Sequence, residues 1–321
     1  MWRDRFGLEV LVPAVVLLCG CPAAELKPGF YGGHNVDQIV FRVKDAEVAR
    51  TSVYETVYFP STDSRKADSD ASSYPVIMFA PGFNCPPVLY HTYGEQLASW
   101  GYIVHFAHYI GLNNAVTTQD ISEHLDWVLE QNFNPYSPLV GAVDGTRVGV
   151  TGHSMGGKYT VMACIEDDRF SAGVALDPVD AAASLDSGSD YFPSITPERM
   201  SEVDEPMLFI GTEYASFLTP VEEDFHQFFL YAESPAQELR VLNSDHVSFI
   251  DDIGSILDFM HIAFGNHPDV DDVTAKNVAI RYMVSWFNVH LKGQTEFQTY
   301  LTGPMAQQDI DEGRVEIATN Y

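Results

Sequence analysis

Short apolar runs bounded by turn residues recur along the chain and predict the strands of a sheet. Runs of about four to eight residues that are continuously apolar, or alternate with polar residues, are typical of strands. The predicted strands are Ile39 to Val43, Val53 to Phe59, Pro75 to Ala80, Tyr102 to Ala107, Val148 to Thr151, Phe170 to Leu176, Met207 to Ile210 and Glu238 to Leu242. We expect the first two to be antiparallel at the edge of the sheet and the strand at Glu238 to be the last.

Between these runs, apolar residues three or four positions apart predict helices. One such set is Leu89, Tyr93, Leu97 and Trp100, and a second is Ile121, Leu125, Val128 and Leu129. A final helix is expected to begin with Asp272 as its cap and to end at Gly293. Its predicted inward residues are Val278, Tyr282, Val284 (or Met283), Phe287 and Leu291. Strands that alternate with helices predict an α/β fold with a mostly parallel central sheet and helices on both faces.

Composition adds the size and the charge of this fold. With 321 residues, 46% of them apolar, the chain can build one large core, and residues 37 to 321 are predicted to form one catalytic domain. Lys and Arg number 17 against 45 Asp and Glu, which gives a net charge of −28. Such a surface repels phosphate groups, so nucleic acid is not expected as a partner. Oligomeric state does not follow from the sequence.

The N-terminal residues form a separate pattern. Arg3 and Arg5 precede a short apolar run, and residues 1 to 20 are predicted to be a signal peptide. The segment Leu18-Cys19-Gly20-Cys21 resembles a bacterial lipobox, which implies lipidation of Cys21. Residues 21 to 36 are rich in Pro, Gly and small polar residues and are predicted to be a tether. We therefore expect an exported lipoprotein at the cell envelope, with a lipid anchor as its only membrane contact, or otherwise a periplasmic or secreted protein.

The candidate chemistry begins at Gly152-His153-Ser154-Met155-Gly156, where a predicted strand leads directly into a predicted helix. In this context G-x-S-x-G is typical of a sharp turn that exposes a serine hydroxyl beside a helix N-terminus. Glycine is expected on both sides because a Cβ there would collide with neighbouring backbone. Ser154 is the predicted nucleophile, and His153 is expected to point away and pack beneath the turn.

A serine nucleophile needs a base, and the base needs an acid that orients it. His246 directly follows the predicted strand at Glu238, which makes it the candidate base. Asp177 ends the strand after the Ser154 helix and is the favoured acid, while Glu213, after the next strand, is the alternative. Two backbone N–H groups should bind the oxyanion, those of Met155 and Phe83. This chemistry requires neither a metal nor an organic cofactor.

Several segments resemble families of serine esterases with the α/β-hydrolase fold. Tyr74 to Phe83, together with Leu97 to Val104, is similar to the oxyanion strand and the following turn of chlorophyllases, platelet-activating-factor acetylhydrolases and cutinase-like polyester hydrolases. Val174 to Asp180 is similar to the chlorophyllase D-P-V-D segment, and His246 to Asp252 to that family's histidine segment. In chlorophyllases and acetylhydrolases the acid lies at the place that matches Asp177.

Polyester hydrolases differ at two of these places. They carry the acid near Glu213 to Ala215, and they have an aromatic residue where this chain has Pro178-Val179. The resemblance implies a serine carboxylester hydrolase that forms an acyl-enzyme with a Ser-His-Asp triad and acts on small, lipid-like or other apolar esters. A chlorophyllase-like or polyester hydrolase is an alternative, as is a non-catalytic binding protein on a hydrolase scaffold.

Overall fold

The computed structural model describes residues 6–7, 28–43, 53–62, 66–69, 73–83, 85–107, 114–180, 192–215, 224–253, 260–261 and 269–321. Its strands are β1 (Phe6–Gly7), β2 (Asn35–Val43), β3 (Val53–Ser61), β4 (Tyr74–Ala80), β5 (Ile103–Phe106), β6 (Val143–His153), β7 (Phe170–Leu176), β8 (Met207–Thr212), β9 (Ala236–Val241) and β10 (Val315–Thr319). Its α-helices are α1 (His91–Ser99), α2 (Asn114–Glu130), α3 (Met155–Glu166), α4 (Phe225–Leu230), α5 (Asp272–His290), α6 (Gln298–Leu301) and α7 (Pro304–Asp311). None of these helices is both long and apolar enough to cross a membrane.

All ten strands lie in one sheet, in the order β1-β2-β3-β5-β4-β6-β7-β8-β9-β10. The six central strands are parallel to their neighbours in the sheet; they are β5, β4, β6, β7, β8 and β9. On one side β1, β2 and β3 pair antiparallel, and on the other side β10 does so. The predicted fold class, a mostly parallel α/β sheet, is confirmed. Carboxyl ends of parallel strands meet at one edge of the sheet, so the loops after β4, β6, β7 and β9 lie along that edge.

Two apolar layers pack on the two faces of the sheet, because successive side chains of a strand point to opposite sides. In β4, Val76 and Met78 face a layer with residues of α2 and α3, while Ile77 and Phe79 face a layer with residues of α1 and α5. Every residue of β4 is buried, which explains its continuous apolar run. Helices therefore cover both faces, as predicted.

The C-terminal region departs from the prediction in two ways. The inward residues predicted for α5 are buried, but its N-cap is Asp271, whose carboxylate accepts the Thr274 N–H at 3.1 Å, and not Asp272. The strand at Glu238 is not the last and α5 is not the final helix, because α6, α7 and β10 follow. β10 pairs with β9 and covers an edge that would otherwise leave backbone groups unpaired.

The N-terminal predictions are only partly within the described residues. The predicted lipidation site Cys21, residues 1 to 5 and 8 to 20 of the predicted signal peptide and residues 21 to 27 of the predicted tether lie outside them, whereas Phe6 and Gly7 pair with β2. The later part of the predicted tether packs on the body of the protein. The Trp100 indole donates to the Phe30 carbonyl at 2.9 Å, and β2 already begins at Asn35.

A buried carboxylate, Asp251, joins the segment after β9 to two helices. It accepts hydrogen bonds from the Thr92 N–H at 2.9 Å and the Lys276 ammonium at 2.7 Å, and the His91 ring nitrogen Nδ1 lies 2.8 Å away. Burial alone would raise the pKa of Asp251, but the bond with His91 and the charge of Lys276 outweigh it and lower the pKa to about 2. The ionised carboxylate therefore stabilises the fold.

We expect Asp251→Asn to lower the free energy of unfolding at pH 7 by about 2 to 3 kcal/mol, the equivalent of the pKa shift. Because the folded pKa lies below the unfolded value of about 3.9, this contribution is complete above pH 4 to 5 and is lost as the pH falls towards 2. Urea unfolding of both proteins at pH 7, 5 and 3.5 measures it. The neighbouring exposed Asp252, changed to Asn, is the control. A difference that does not narrow at low pH would contradict this account.

Candidate active site

Ser154 occupies a sharp turn between β6 and α3. Its backbone lies in a rare region, with φ 60° and ψ −126°, which is a strained conformation for a residue with a side chain. A Cβ at Gly152 would lie 2.3 Å from the Gly156 carbonyl oxygen, and one at Gly156 would lie 2.0 Å from the Ala80 oxygen. The expectation that both positions need glycine is confirmed, and the turn presses the serine against the loop after β4.

His246 lies between Ser154 and Asp177. Its Nε2 is 3.1 Å from the Ser154 Oγ, and its Nδ1 is 2.7 Å from the Asp177 Oδ2. All three residues are buried, Asp177 and His246 almost fully and Ser154 with 9% of its surface exposed. The structure thus brings the three predicted residues together in the order that the sequence analysis expects.

The acid loop is tied to the backbone of the nucleophile. The Ser154 N–H donates to the Leu176 carbonyl, and the Val179 N–H donates to the Ser154 carbonyl, both at 3.0 Å. Between these two bonds Asp177 has φ 37°, in the left-handed region, and its N–H donates to the Ile210 carbonyl at 2.6 Å. These contacts turn the Asp177 side chain towards His246 at the end of β7.

A capped 3-10 helix, His246–Phe249, holds the histidine. Asp245 precedes it, and its carboxylate accepts the Val247 N–H at 3.1 Å while the Ser248 hydroxyl accepts the Asp245 N–H at 3.0 Å. This reciprocal pair is a capping box, which fixes the first turn of the short helix. His246 therefore begins a rigid segment rather than a free loop.

The alternative acid, Glu213, contacts the turn after β9 instead of the His246 ring. Its Oε2 accepts the backbone N–H of Asn243 at 2.6 Å, where the chain has a φ of 53°. This bond supports the turn that leads from β9 to His246. Glu213 is not in hydrogen-bonding contact with the His246 ring, and Ala215, two residues on, has no side-chain acid.

The two predicted oxyanion donors belong to segments that adjoin Ser154. Met155 is the first residue of α3, and the N–H groups of a first helical turn have no partner within the helix. Phe83 follows Gly82, and a Cβ at Gly82 would lie only 3.3 Å from the Ser154 Cβ. The half-buried Phe83 ring packs edge-on against Phe192 with 5.9 Å between ring centroids, and both side chains pack against the apolar layer that contains Met155.

His153 packs beneath the turn as expected, but sequence reasoning missed its polar contacts. It is buried, with Nδ1 2.9 Å from the Tyr90 hydroxyl and Nε2 2.9 Å from the His246 carbonyl oxygen. Burial and the neighbouring His246 hold the pKa of His153 well below its ordinary value. No short sequence signal connects Tyr90 with His153, because 63 positions separate them.

A buried ion pair, also missed from sequence, anchors the chain after the acid. The Lys158 Nζ donates to the carbonyl oxygens of Asp180 and Pro193 at 2.6 Å and lies 3.3 Å from the Asp180 carboxylate. Burial lowers the pKa of Lys158, and the Asp180 charge partly opposes this shift. The Asp180 carboxylate also accepts the Ile195 and Thr196 N–H groups, so it joins the segment after β7 to residues 195 and 196.

With this geometry established, comparison with known proteins identifies the family. A sequence model of the PET hydrolase-like family matches residues 35 to 317. The chain belongs to this family. The match spans β2 to β10 and includes every residue of the Ser154, Asp177 and His246 arrangement.

Individual relatives of this PET hydrolase-like chain are distant. Platelet-activating factor acetylhydrolase of Cavia porcellus is 25% identical over 228 residues, or 56% of this chain and 48% of that protein. Chlorophyllase-1 of Arabidopsis thaliana is 24% identical over 57% of this chain and 61% of its own length. Cutinase of Thermobifida fusca is 27% identical over 52% of this chain and 56% of its own length. The chain thus spans about half the length of these relatives, and the predicted resemblance to the three groups is confirmed.

One further cluster in this PET hydrolase-like chain has the composition of a metal site. Asp245, His261 and Asp272 are, among the described residues, the group of His, Cys, Asp and Glu side chains close enough to share an ion. His261 contacts Asp245 through Nδ1 at 2.9 Å and Asp272 through Nε2 at 3.0 Å. A protonated imidazole bridging two carboxylates accounts for this arrangement, because each ring N–H then has an acceptor. Both ring nitrogens are engaged, so the cluster does not present a free ligand set.

Proposed function

We propose that the protein is a serine carboxylester hydrolase with Ser154 as nucleophile, His246 as general base and Asp177 as the acid that orients the base. The observation that carries this proposal is the position of the His246 ring, with Nε2 3.1 Å from the Ser154 Oγ and Nδ1 2.7 Å from the Asp177 Oδ2. These are the contacts that a hydroxyl needs to become a nucleophile at neutral pH. Membership of the PET hydrolase-like family supports the same reaction class.

The reaction follows from these positions. The Ser154 Oγ attacks the ester carbonyl carbon while His246 Nε2 takes the hydroxyl proton, and Asp177 stays ionised and accepts the Nδ1–H of the imidazolium. The N–H groups of Met155 and Phe83 bind the oxyanion of the tetrahedral intermediate. When the intermediate collapses, the alcohol leaves with the proton from Nε2 and the acyl group stays on Ser154. Water then repeats both steps, which releases the acid and restores the serine.

We further propose that the substrates are lipid-like or other apolar esters. The apolar side chains of Phe83 and Phe192, which pack against the layer that contains Met155, support this class. The position of Asp177 at the end of β7, with Pro178 and Val179 after it, supports the chlorophyllase-like and acetylhydrolase-like alternative over polyester cleavage. The family match supports a polyester substrate as the second candidate.

A fluorophosphonate probe tests the reaction class, because only an activated serine is phosphonylated. We expect stoichiometric labelling at Ser154, together with hydrolysis of p-nitrophenyl esters from C2 to C16; a chlorophyll and a polyester film complete the panel. Rates that rise with acyl length support lipid-like esters, whereas turnover of the film alone supports the polyester candidate. A folded protein that is neither labelled nor active would instead be a binding protein on a hydrolase scaffold.

A further inference from the structure

A continuous chain of buried hydrogen bonds joins the loop after β4 to the segment that carries His246. The Gly82 N–H lies 3.2 Å from the Tyr90 hydroxyl oxygen, the same hydroxyl lies 2.9 Å from His153 Nδ1, and His153 Nε2 lies 2.9 Å from the His246 carbonyl oxygen. Tyr90 is fully buried and His153 is nearly so. The proposed reaction assigns no role to either side chain.

The chemistry of these groups fixes the direction of every bond. A backbone carbonyl only accepts, so His153 Nε2 must carry the proton that points to His246. The pKa of His153 is held well below its ordinary value by burial and by His246, so the ring is neutral and its Nδ1 has a free lone pair. Burial raises the pKa of Tyr90 well above its ordinary value, so its hydroxyl keeps a proton to donate to Nδ1 and accepts the Gly82 N–H.

This series of hydrogen bonds connects the three segments that surround the nucleophile. His153 is covalently next to Ser154, and its ring lies against the His246 ring with 4.6 Å between centroids. Gly82 lies against the Ser154 side chain and precedes Phe83, whose N–H is the second oxyanion donor of the proposed reaction. A shift of either neighbouring segment would therefore change the distance between the base and the serine, or between the oxyanion and its donors.

We propose that Tyr90 and His153 are positioning residues of the hydrolysis, which hold the His246 segment and the oxyanion loop at fixed distances from Ser154. The proposal rests on the proposed function, because it concerns the same reaction. Tyr90 acts by holding the His153 ring from its Nδ1 side, so that Nε2 keeps its hydrogen bond to the His246 carbonyl. Without the hydroxyl, His153 Nδ1 and the Gly82 N–H lose their shared buried partner, so the His246 segment and the oxyanion loop are no longer joined.

The neutral state of His153 matters for a second reason. His246 becomes positively charged when it takes the Ser154 proton, and the His153 ring lies against it. A charged His153 would disfavour this imidazolium, because like charges at such distances oppose each other. A donor on Nδ1, which Tyr90 supplies, is compatible only with the uncharged ring.

Tyr90→Phe tests the proposal with Tyr93→Phe as a matched control. Tyr93 is also fully buried, but its hydroxyl has no hydrogen-bond partner among the described residues. We expect Tyr90→Phe to lower kcat for a soluble p-nitrophenyl ester about 10- to 100-fold, the range for a buried polar group that loses its partner. KM should change less than about threefold, and Tyr93→Phe should leave both constants within about twofold of wild type.

A double-mutant cycle tests whether Tyr90 acts through His153. In a His153→Phe background the Tyr90→Phe change should lower kcat by no more than about twofold, because the shared interaction is already absent. His153→Gln keeps a donor for the His246 carbonyl, so its kcat should exceed that of His153→Phe severalfold. Thermal unfolding of each variant shows whether it is folded. If His153→Phe is not folded, His153→Gln replaces it as the background of the cycle.

Nitrogen NMR of histidine-labelled protein gives a readout that packing alone would not move. We expect His153 to carry its proton on Nε2 in the wild type, in Tyr93→Phe and in Tyr90→Phe, and its Nδ1 signal to shift only in Tyr90→Phe, where that nitrogen loses its hydrogen-bond donor. Unchanged kcat in Tyr90→Phe, or independent losses in the cycle, would overturn the positioning role while the esterase remains active and labelled. A wild type that is neither labelled nor active would remove the proposed function itself.

Discussion

Ser154→Ala and His246→Ala are each expected to lower kcat by about 10⁴- to 10⁶-fold, the scale seen when a member of a catalytic triad is removed. Alanine at position 154 removes the oxygen that forms the acyl-enzyme. Alanine at position 246 removes the imidazole, whose Nε2 lies 3.1 Å from that oxygen and accepts its proton. Because the two residues act as one unit, the double variant should be about as active as either single one.

Steady-state rates on a short p-nitrophenyl ester, with active-site titration by the fluorophosphonate, measure these losses. Ser285→Ala and His226→Ala are matched controls. Ser285 is a buried serine on α5 whose hydroxyl donates to the Arg281 carbonyl, and His226 is a partly exposed histidine beside Glu238. Both controls should keep near-normal kcat. A His246→Ala protein that retains wild-type turnover would remove His246 from the mechanism.

Elements whose signal is local follow directly from the sequence. β4 is an unbroken apolar run because both of its faces are covered, and the inward face of α5 repeats at helical spacing. The turn at Ser154 has an equally local signal, because the G-x-S-x-G pattern marks it. A Cβ at Gly152 would collide with Gly156, and a Cβ at Gly156 would collide with the Ala80 carbonyl. Chain order and strand ends then suffice to bring Asp177 and His246 to the same edge of the sheet.

Features that depend on distant partners could not be predicted. β10 is a short run of mostly exposed residues, and it becomes a strand because β9 offers an unpaired edge. The bond from His153 to the His246 carbonyl joins residues 93 positions apart, and the Lys158 bond to Pro193 joins residues 35 apart. Such polar contacts have no period along the chain. They depend on side-chain direction in the folded protein, which only the structure supplies.

Asp177→Asn is expected to lower kcat by about 10⁴-fold, whereas Glu213→Gln should change it by less than about threefold. A carboxylate only accepts hydrogen bonds, but the asparagine side chain can turn its NH₂ group towards His246 Nδ1, which must then be the acceptor. The ring proton would move to Nε2, where it faces the Ser154 oxygen. No lone pair is then left on Nε2 to take the hydroxyl proton.

Glu213 is the matched control because its own bond survives the change. In Glu213→Gln the side-chain oxygen can still accept the Asn243 N–H, which lies 2.6 Å from Glu213 Oε2 in the wild type. In Asp177→Asn, by contrast, the carboxylate that faces the His246 Nδ1 at 2.7 Å is lost. Values of kcat for a soluble ester, measured with thermal unfolding of both variants, decide the assignment. The opposite ranking, with Glu213→Gln as the inactive variant, would move the acid to the end of β8 and favour the polyester candidate.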